Sequence, residues 1–242
     1  MKDFSILKVK DTSDSYYTKL DNIFDIPMRL IIVGKSFLSG KSTIILNLLL
    51  REKFYKDKFE GENIFIISNN KMDNKMKILK QEKEVPADNF MEFNEATLER
   101  LYDKIEEDAM TAVSDNEKPV NSLIIFDDVA FGGDLKKKAN GTLSRIMCNG
   151  RHVNLSCIVT SQKHTMLSTT IRSNASGAIL FSNSARELDS IADDFNYLSN
   201  KKSFFKMFRK ATDKRNSFLV VNFSNDDIYL DSKFQKIEME EE

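Results

Sequence analysis

The segment Gly34-Lys35-Ser36-Phe37-Leu38-Ser39-Gly40-Lys41-Ser42-Thr43 constrains the fold of this chain more than any other feature. It stands between two apolar runs, Arg29 to Val33 (RLIIV) and Ile44 to Leu50 (IILNLLL). The first reads as a buried strand and the second as a buried helix. Strand, tight loop and helix start, in that order, make a phosphate-binding loop. The first N–H groups of a helix lack an intrahelical acceptor and lie at the positive end of its dipole, so they attract phosphate. Gly40 lets the backbone approach the phosphates, Lys41 can reach the β- and γ-phosphates, and the Ser42 hydroxyl can ligate Mg²⁺. A nucleoside triphosphate is therefore expected at Gly34, Lys35, Ser36, Ser39, Gly40, Lys41, Ser42 and Thr43.

The spacing departs from the usual pattern. Such loops read G-x-x-x-x-G-K-[ST], whereas five residues separate Gly34 from Gly40 and Lys35 stands where the first glycine is expected. Either the loop carries an extra residue, or Lys35 takes that place and Gly34 serves the strand exit.

A second motif complements the first. Leu123-Ile124-Ile125-Phe126-Asp127-Asp128 is an apolar strand that ends in two acids. A strand delivering an acid at its C-terminal edge is how such ATPases hold Mg²⁺ opposite the phosphate loop. Asp127 is expected to ligate Mg²⁺ with Ser42. Asp128 would sit beside the γ-phosphate and orient or deprotonate the attacking water, with a reach one methylene shorter than the commoner glutamate. The next apolar run, Leu155 to Thr160, ends Thr160-Ser161-Gln162, and Gln162 is the candidate to contact the γ-phosphate or its water. Charge developing on the phosphoryl oxygens calls for an arginine. Arg145, Arg151 and Arg172 are the candidates, with Arg151, after Asn149-Gly150, placed to reach a neighbouring subunit and Arg172 the runner-up.

Short apolar strands alternating with helical stretches argue for a three-layer α/β domain of the RecA-like phosphate-loop class, with a largely parallel sheet. Strands are expected at 29–33, 63–68, 123–126, 155–160 and 178–181, with a terminal hairpin over 218–222 and 228–230. Helices are expected from Ile44, over 96–113, 143–150, 185–195 and 202–210, and residues 69–90 read as weakly structured. Residues 1–28 read as an N-terminal strand or arm, 29–230 as the ATPase domain, and 231–242 as an acidic tail that frays.

At 242 residues, 41% hydrophobic and 30% charged, the chain can bury a full core. No apolar run approaches the ~20 residues of a transmembrane helix, and the start of the chain lacks a signal-peptide core. Cys148 and Cys157 make no disulfide framework or zinc signature, so the chain reads as intracellular. With net charge −1 there is no global basic signature for nucleic acid. Locally, Lys136-Lys137-Lys138 form a basic cluster, and Lys201 to Arg215 carry seven basic residues against one acid, interleaved with Phe204, Phe205 and Phe208. Such stretches either track a nucleic-acid backbone or form solvated faces whose phenylalanines enter the core.

Taken together, the phosphate loop, LIIFDD, GRHVNLSCIVTSQ and TTIRSNASGAILF resemble the viral genome-packaging ATPases of the FtsK–HerA superfamily, above all the poxvirus-type enzymes of large DNA viruses. The resemblance covers about residues 29–182. It implies an ATP- and Mg²⁺-dependent motor that threads double-stranded DNA into a preformed capsid, in contact with capsid or portal proteins and with no membrane span. It further implies a homo-oligomeric ring, pentameric or hexameric, with ATP held between neighbours and Arg151 or Arg172 acting on the adjacent subunit's site. Lys136, Lys137 and Lys138 would form a pore loop gripping DNA phosphates. The setting would be the virus assembly site in the host cytoplasm, with the virion as a second location. Two other readings use the same loop: a small nucleotide or metabolite kinase, and an ATP-gated adaptor without catalysis.

Overall fold

The computed structural model describes residues 15–21, 23–36, 39–70, 73–129 and 141–238. Eight strands among these residues form one sheet: β1 (Arg29–Val33), β2 (Ile64–Ser68), β3 (Phe90–Met91), β4 (Ser122–Asp127), β5 (Leu155–Ser161), β6 (Gly177–Phe181), β7 (Phe218–Asn222) and β8 (Tyr229–Leu230). Their order is β3-β2-β4-β5-β1-β6-β7-β8. All neighbours from β3 to β6 run parallel, and β7 and β8 add antiparallel at one edge. The helices are α1 (Lys41–Leu50), α2 (Asn74–Glu82), α3 (Glu95–Ser114), α4 (Thr142–Asn149), α5 (Thr169–Ser173), α6 (Ala185–Phe195) and α7 (Lys201–Ala211).

The continuous apolar strands are explained by cover on both faces. Alternate residues of a strand point to opposite sides, and here each side meets a core of its own. Leu30 and Ile32 of β1 join Ile45, Leu48 and Leu49 of α1 and Leu79 of α2. Ile31 and Val33 join Leu98 and Tyr102 of α3, Ile146 of α4, Ile191 of α6 and Phe204 of α7. Helices, sheet and helices therefore form three layers, as expected for a phosphate-loop fold.

Three expectations need correction. Residues 69–90 contain a capped helix: Asp73 accepts from the N–H groups of Lys75 and Met76, and Met76 and Leu79 enter the core. The proposed boundary at residue 28 falls inside the packed core, because Phe24, Ile26 and Met28 are wholly buried and Tyr55 donates its hydroxyl to Phe24 O at 2.7 Å. A Cβ on Gly177 of β6 would stand 2.3 Å from the Phe24 ring, so strand and segment are fitted to each other. Nor do residues 231–238 begin a free tail. Phe234 is buried, with ring centroids 5.1 Å from Phe54 and 6.1 Å from Phe218, and Ile237 N–H donates to Tyr229 O. The segment Phe4 to Val9 and the acidic end lie outside the described residues.

Candidate nucleotide-hydrolysis site

The site lies where β1, β4 and β5 end together. Register places Val33 beside Ser161 and Phe126 beside Val159, so the phosphate loop, the acid pair and Gln162 leave the sheet at the same edge. Gly34 still donates to Ser161 O at 3.0 Å, extending the strand. A Cβ there would meet Ser39 Cβ at 2.8 Å and Phe181 Cβ at 2.9 Å, so close packing selects glycine. Lys35 and Ser36 are exposed at the loop start, while Ser39 is buried. Gly40 caps α1 with φ 89, the left-handed conformation that glycine adopts without a Cβ clash.

Lys41 is buried at 5% exposure, and its Nζ donates to Gly34 O at 2.9 Å and Lys35 O at 3.4 Å. The ammonium also stands 3.8 Å from Asp128 Oδ1. Burial pulls its pKa below the ordinary lysine value, opposed by Asp128 and Asp127. The Ser42 hydroxyl donates to Asp73 Oδ2 at 3.4 Å, and Thr43 Oγ1 accepts from Lys75 Nζ at 2.6 Å. The N-terminal end of α2 thus closes over the phosphate loop.

Thr160 of β5 organises the acid pair. Its Oγ1 accepts from Asp128 N–H at 2.8 Å and donates to Asp127 Oδ1 at 3.1 Å. Asp128 has φ 51, which turns its carboxylate out of the strand toward Lys41. Gln162 Nε2 reaches Asp128 Oδ2 at 3.5 Å. Burial, Asp128 and Asp73 push the Asp127 carboxyl up to about 6, with the Thr160 hydrogen bond and Lys41 opposing. Beside them opens a cavity of about 520 Å³, lined in part by Ser36, Ser39, Gly40, Lys41, Ser42, Asp73 and Asp128. That size is within the range of small-molecule sites.

Two observations fit a nucleotide and its Mg²⁺ to this cavity. Asp128 Oδ1 is buried without a hydrogen-bond donor, and such an atom costs free energy until a partner arrives. Burial and two further acids disfavour the charged form of Asp127, and a divalent cation beside it would favour that form.

The arginine candidates are not brought here. Arg145 lies over the Tyr102 ring at 5.0 Å and pairs with Glu99, Asp103 and Glu106, an ion cluster on α3. Arg172 pairs with Asp194 of α6, which also lies 3.2 Å from the buried His164 Nε2. Burial, then Arg172, depress the His164 pKa to about 4. Arg151 is exposed and donates from Nε to His152 Nε2 at 3.2 Å. It precedes β5, whose seven residues separate it from Gln162, a run of roughly 23 Å at strand rise. Lys136, Lys137 and Lys138 lie outside the described residues. Phe204 and Phe208 enter the core rather than interleaving with the charges of α7, and Phe205 packs against the same core.

Sequence reasoning missed Asp73, Lys75 and Thr160. Asp73 had a signal, since an aspartate just before Met76 and Leu79 at helical spacing marks a helix start. Thr160 lies two residues before Gln162, and so on the same strand face.

A phosphate loop facing an acid pair, with one strand between their parent strands, defines a P-loop NTPase. The sequence matches the family described as Poxvirus A32 protein over residues 16–238, and the chain belongs to that family, the poxvirus packaging ATPases. A comparison with curated protein sequences finds no match. Among solved structures, the DNA-packaging ATPase B204 from Sulfolobus turreted icosahedral virus aligns with a TM-score of 0.55 at 17% identity, covering 81% of this chain and 92% of that one. The genome packaging NTPase B204 from Sulfolobus turreted icosahedral virus 2, in complex with AMPPCP, gives 0.53 at 15%, covering 82% and 93%. ATPases 2 and 3 of EssC from Geobacillus thermodenitrificans give 0.59 at 14%, covering 81% of this chain and 38% of that one. At these identities the likeness is one of fold. Among the described residues no helix is long and apolar enough to cross a membrane.

Proposed function

We propose that this ATPase threads double-stranded DNA into a preformed viral capsid, hydrolysing ATP between neighbouring subunits of a pentameric or hexameric ring. The observation that carries the hydrolytic part is the convergence of Lys41 and Asp128, 3.8 Å apart at the shared edge of β1 and β4. Membership of the poxvirus A32 family supports the packaging part, and the AMPPCP complex of B204 supports ATP as the nucleotide.

The residues divide the work. Lys41 exchanges its two backbone carbonyl partners for the β- and γ-phosphates, and the N–H groups at the start of α1 hold them in place. Ser42 and Asp127 would hold Mg²⁺, with Asp73 beside them, and the chemistry supplied there would be neutralisation of phosphate charge. Asp128 and Gln162 position the attacking water, with Asp128 fixed at its backbone by Thr160. Arg151 lies at the far end of β5 from its own phosphate loop, so it can serve only a neighbour's site, in the manner of a finger supplied in trans. Lys136 to Lys138 follow the acid-bearing strand and are the proposed grip on DNA phosphates. Capsid or portal proteins are the partners in the host cytoplasm, where virus assembly takes place.

Steady-state ATP hydrolysis with and without long double-stranded DNA, across a salt series, tests this reading with Lys41→Ala as control. Phosphate contacts release counterions and weaken steeply with salt. Several-fold stimulation that fades with salt and is absent from the variant is expected. Brisk hydrolysis indifferent to DNA would overturn the motor and favour the kinase-like reading.

A further inference from the structure

The chemistry above occupies one flank of the cavity and leaves the other unassigned. Sheet order decides which part of a nucleotide faces which flank. From the phosphate loop at the end of β1, strands β5 and β4 lie to one side and carry Gln162, Asp127 and Asp128, while β6 and β7 lie to the other. With the terminal phosphate drawn to Lys41 and the acids, the nucleoside leaves toward β6 and β7. There the wall is made by Phe181 at the end of β6, Phe218 at the start of β7, and Arg215 and Asn216 in the turn between α7 and β7.

Resting on the hydrolytic reading, we propose that the turn over Lys214–Ser217 recognises the nucleoside, with Asn216 hydrogen-bonded to the polar edge of the base and Arg215 laid against base and ribose. The turn is closed by its own bonds. Ser217 N–H donates to Lys214 O at 3.0 Å, Lys214 N–H donates to Ser217 Oγ at 3.1 Å, and Ser217 Oγ donates to Lys214 O at 2.6 Å. These bonds stay within residues 214 and 217, so the two residues at the tip are left for a ligand. Asn216 has φ 64, a left-handed conformation that asparagine tolerates. Its Oδ1 lies 4.0 Å from where a Cβ on Gly40 would stand, which brings the carboxamide to the mouth of the phosphate loop.

The chemistry of the two side chains suits a nucleoside. A carboxamide both donates and accepts, as a base edge requires. A guanidinium is planar, always charged and stacks on flat rings. Both residues are exposed toward the cavity they line, and neither is hydrogen-bonded or ion-paired through its side chain among the described residues. Phe181 and Phe218 are buried and meet edge to face at 5.2 Å, an apolar floor beneath the turn.

The test compares equilibrium binding of ATP with that of inorganic tripolyphosphate, which has the phosphates and no nucleoside. The proteins are the wild-type full chain, Asn216→Gly, Arg215→Ala and Lys41→Ala. Asn216→Gly keeps the left-handed backbone accessible while removing the carboxamide. Each turn variant is expected to weaken ATP binding about tenfold, the size of one lost polar contact to a charged or buried partner. Tripolyphosphate binding is expected to stay within about twofold of wild type, while Lys41→Ala loses both ligands. Wild-type ATP affinity in both turn variants, or equal loss of ATP and tripolyphosphate, would overturn the assignment of the turn while leaving the phosphate site intact. Unchanged binding of both ligands in Lys41→Ala would overturn the hydrolytic reading, and the assignment of the turn with it.

Discussion

Thr160 shows how one hydroxyl sets the geometry of two acids. Buried on β5, it stands beside the acid-bearing strand and holds both the backbone of Asp128 and the carboxylate of Asp127. Removing the hydroxyl leaves Asp127 Oδ1 without a donor and Asp128 N–H without an acceptor. Thr160→Val is therefore expected to destabilise the fold by about 1–3 kcal/mol, the range for unsatisfied buried polar groups. The misaimed pair should also lower turnover about tenfold or more, while ATP affinity changes little because Lys41 and the α1 start are untouched. Urea unfolding and steady-state hydrolysis measured on the same preparation check this. Unchanged turnover with lowered stability would reduce Thr160 to a packing role. The residues that were legible in the sequence are those whose chemistry depends on adjacency: Gly40-Lys41-Ser42 and Asp127-Asp128. Thr160, Asp73 and Arg215 depend on which strand or helix lies beside which, and that is set by the order of the sheet.

At the scale of elements, strands were legible because burial on both faces leaves continuous apolar runs such as LIIF and NIFIIS. The helix over Asn74–Glu82 was hidden by composition. Its exposed face is lysine-rich, and Met76 and Leu79 are its buried anchors. The segment before β1 was hidden for another reason. Ile23-Phe24-Asp25-Ile26-Pro27-Met28 is an apolar stretch broken by an aspartate and a proline, with neither strand nor helix periodicity, and it reaches the core by packing on β6 and Tyr55. Phe24 is wholly buried against Gly177, so Phe24→Ala is expected to cost about 3–5 kcal/mol. Denaturant unfolding measures this as a lower midpoint with little change in slope. A loss under about 1 kcal/mol would restore the reading of these residues as a separate arm.

At the scale of the molecule, the sheet keeps the residues of the three proposed tasks apart. One flank of the β1 loop carries the acids and Gln162, the other carries the turn before β7, and the opposite edge of the sheet carries Arg151. An arginine remote from its own phosphate loop and exposed at the molecular edge suits a head-to-tail ring, in which each interface joins unlike surfaces and rotation closes the circle. The outer face of α7 carries Lys201, paired with Asp193 of α6, beside the exposed Lys202 and Arg209, while its phenylalanines pack inward.

All of these tasks rest on hydrolysis at one centre built from the phosphate loop and the β4 acids, and Asp128→Asn tests that centre most directly. The substitution keeps the size of the side chain and removes the charge that would position or deprotonate water. The measurement is ATP affinity and single-turnover hydrolysis on the same protein. The account predicts affinity within a few-fold of wild type and hydrolysis slower by about 10²-fold or more, the range for removing a general base. Wild-type hydrolysis in Asp128→Asn would contradict it, because the centre described here would then not be where ATP is cleaved.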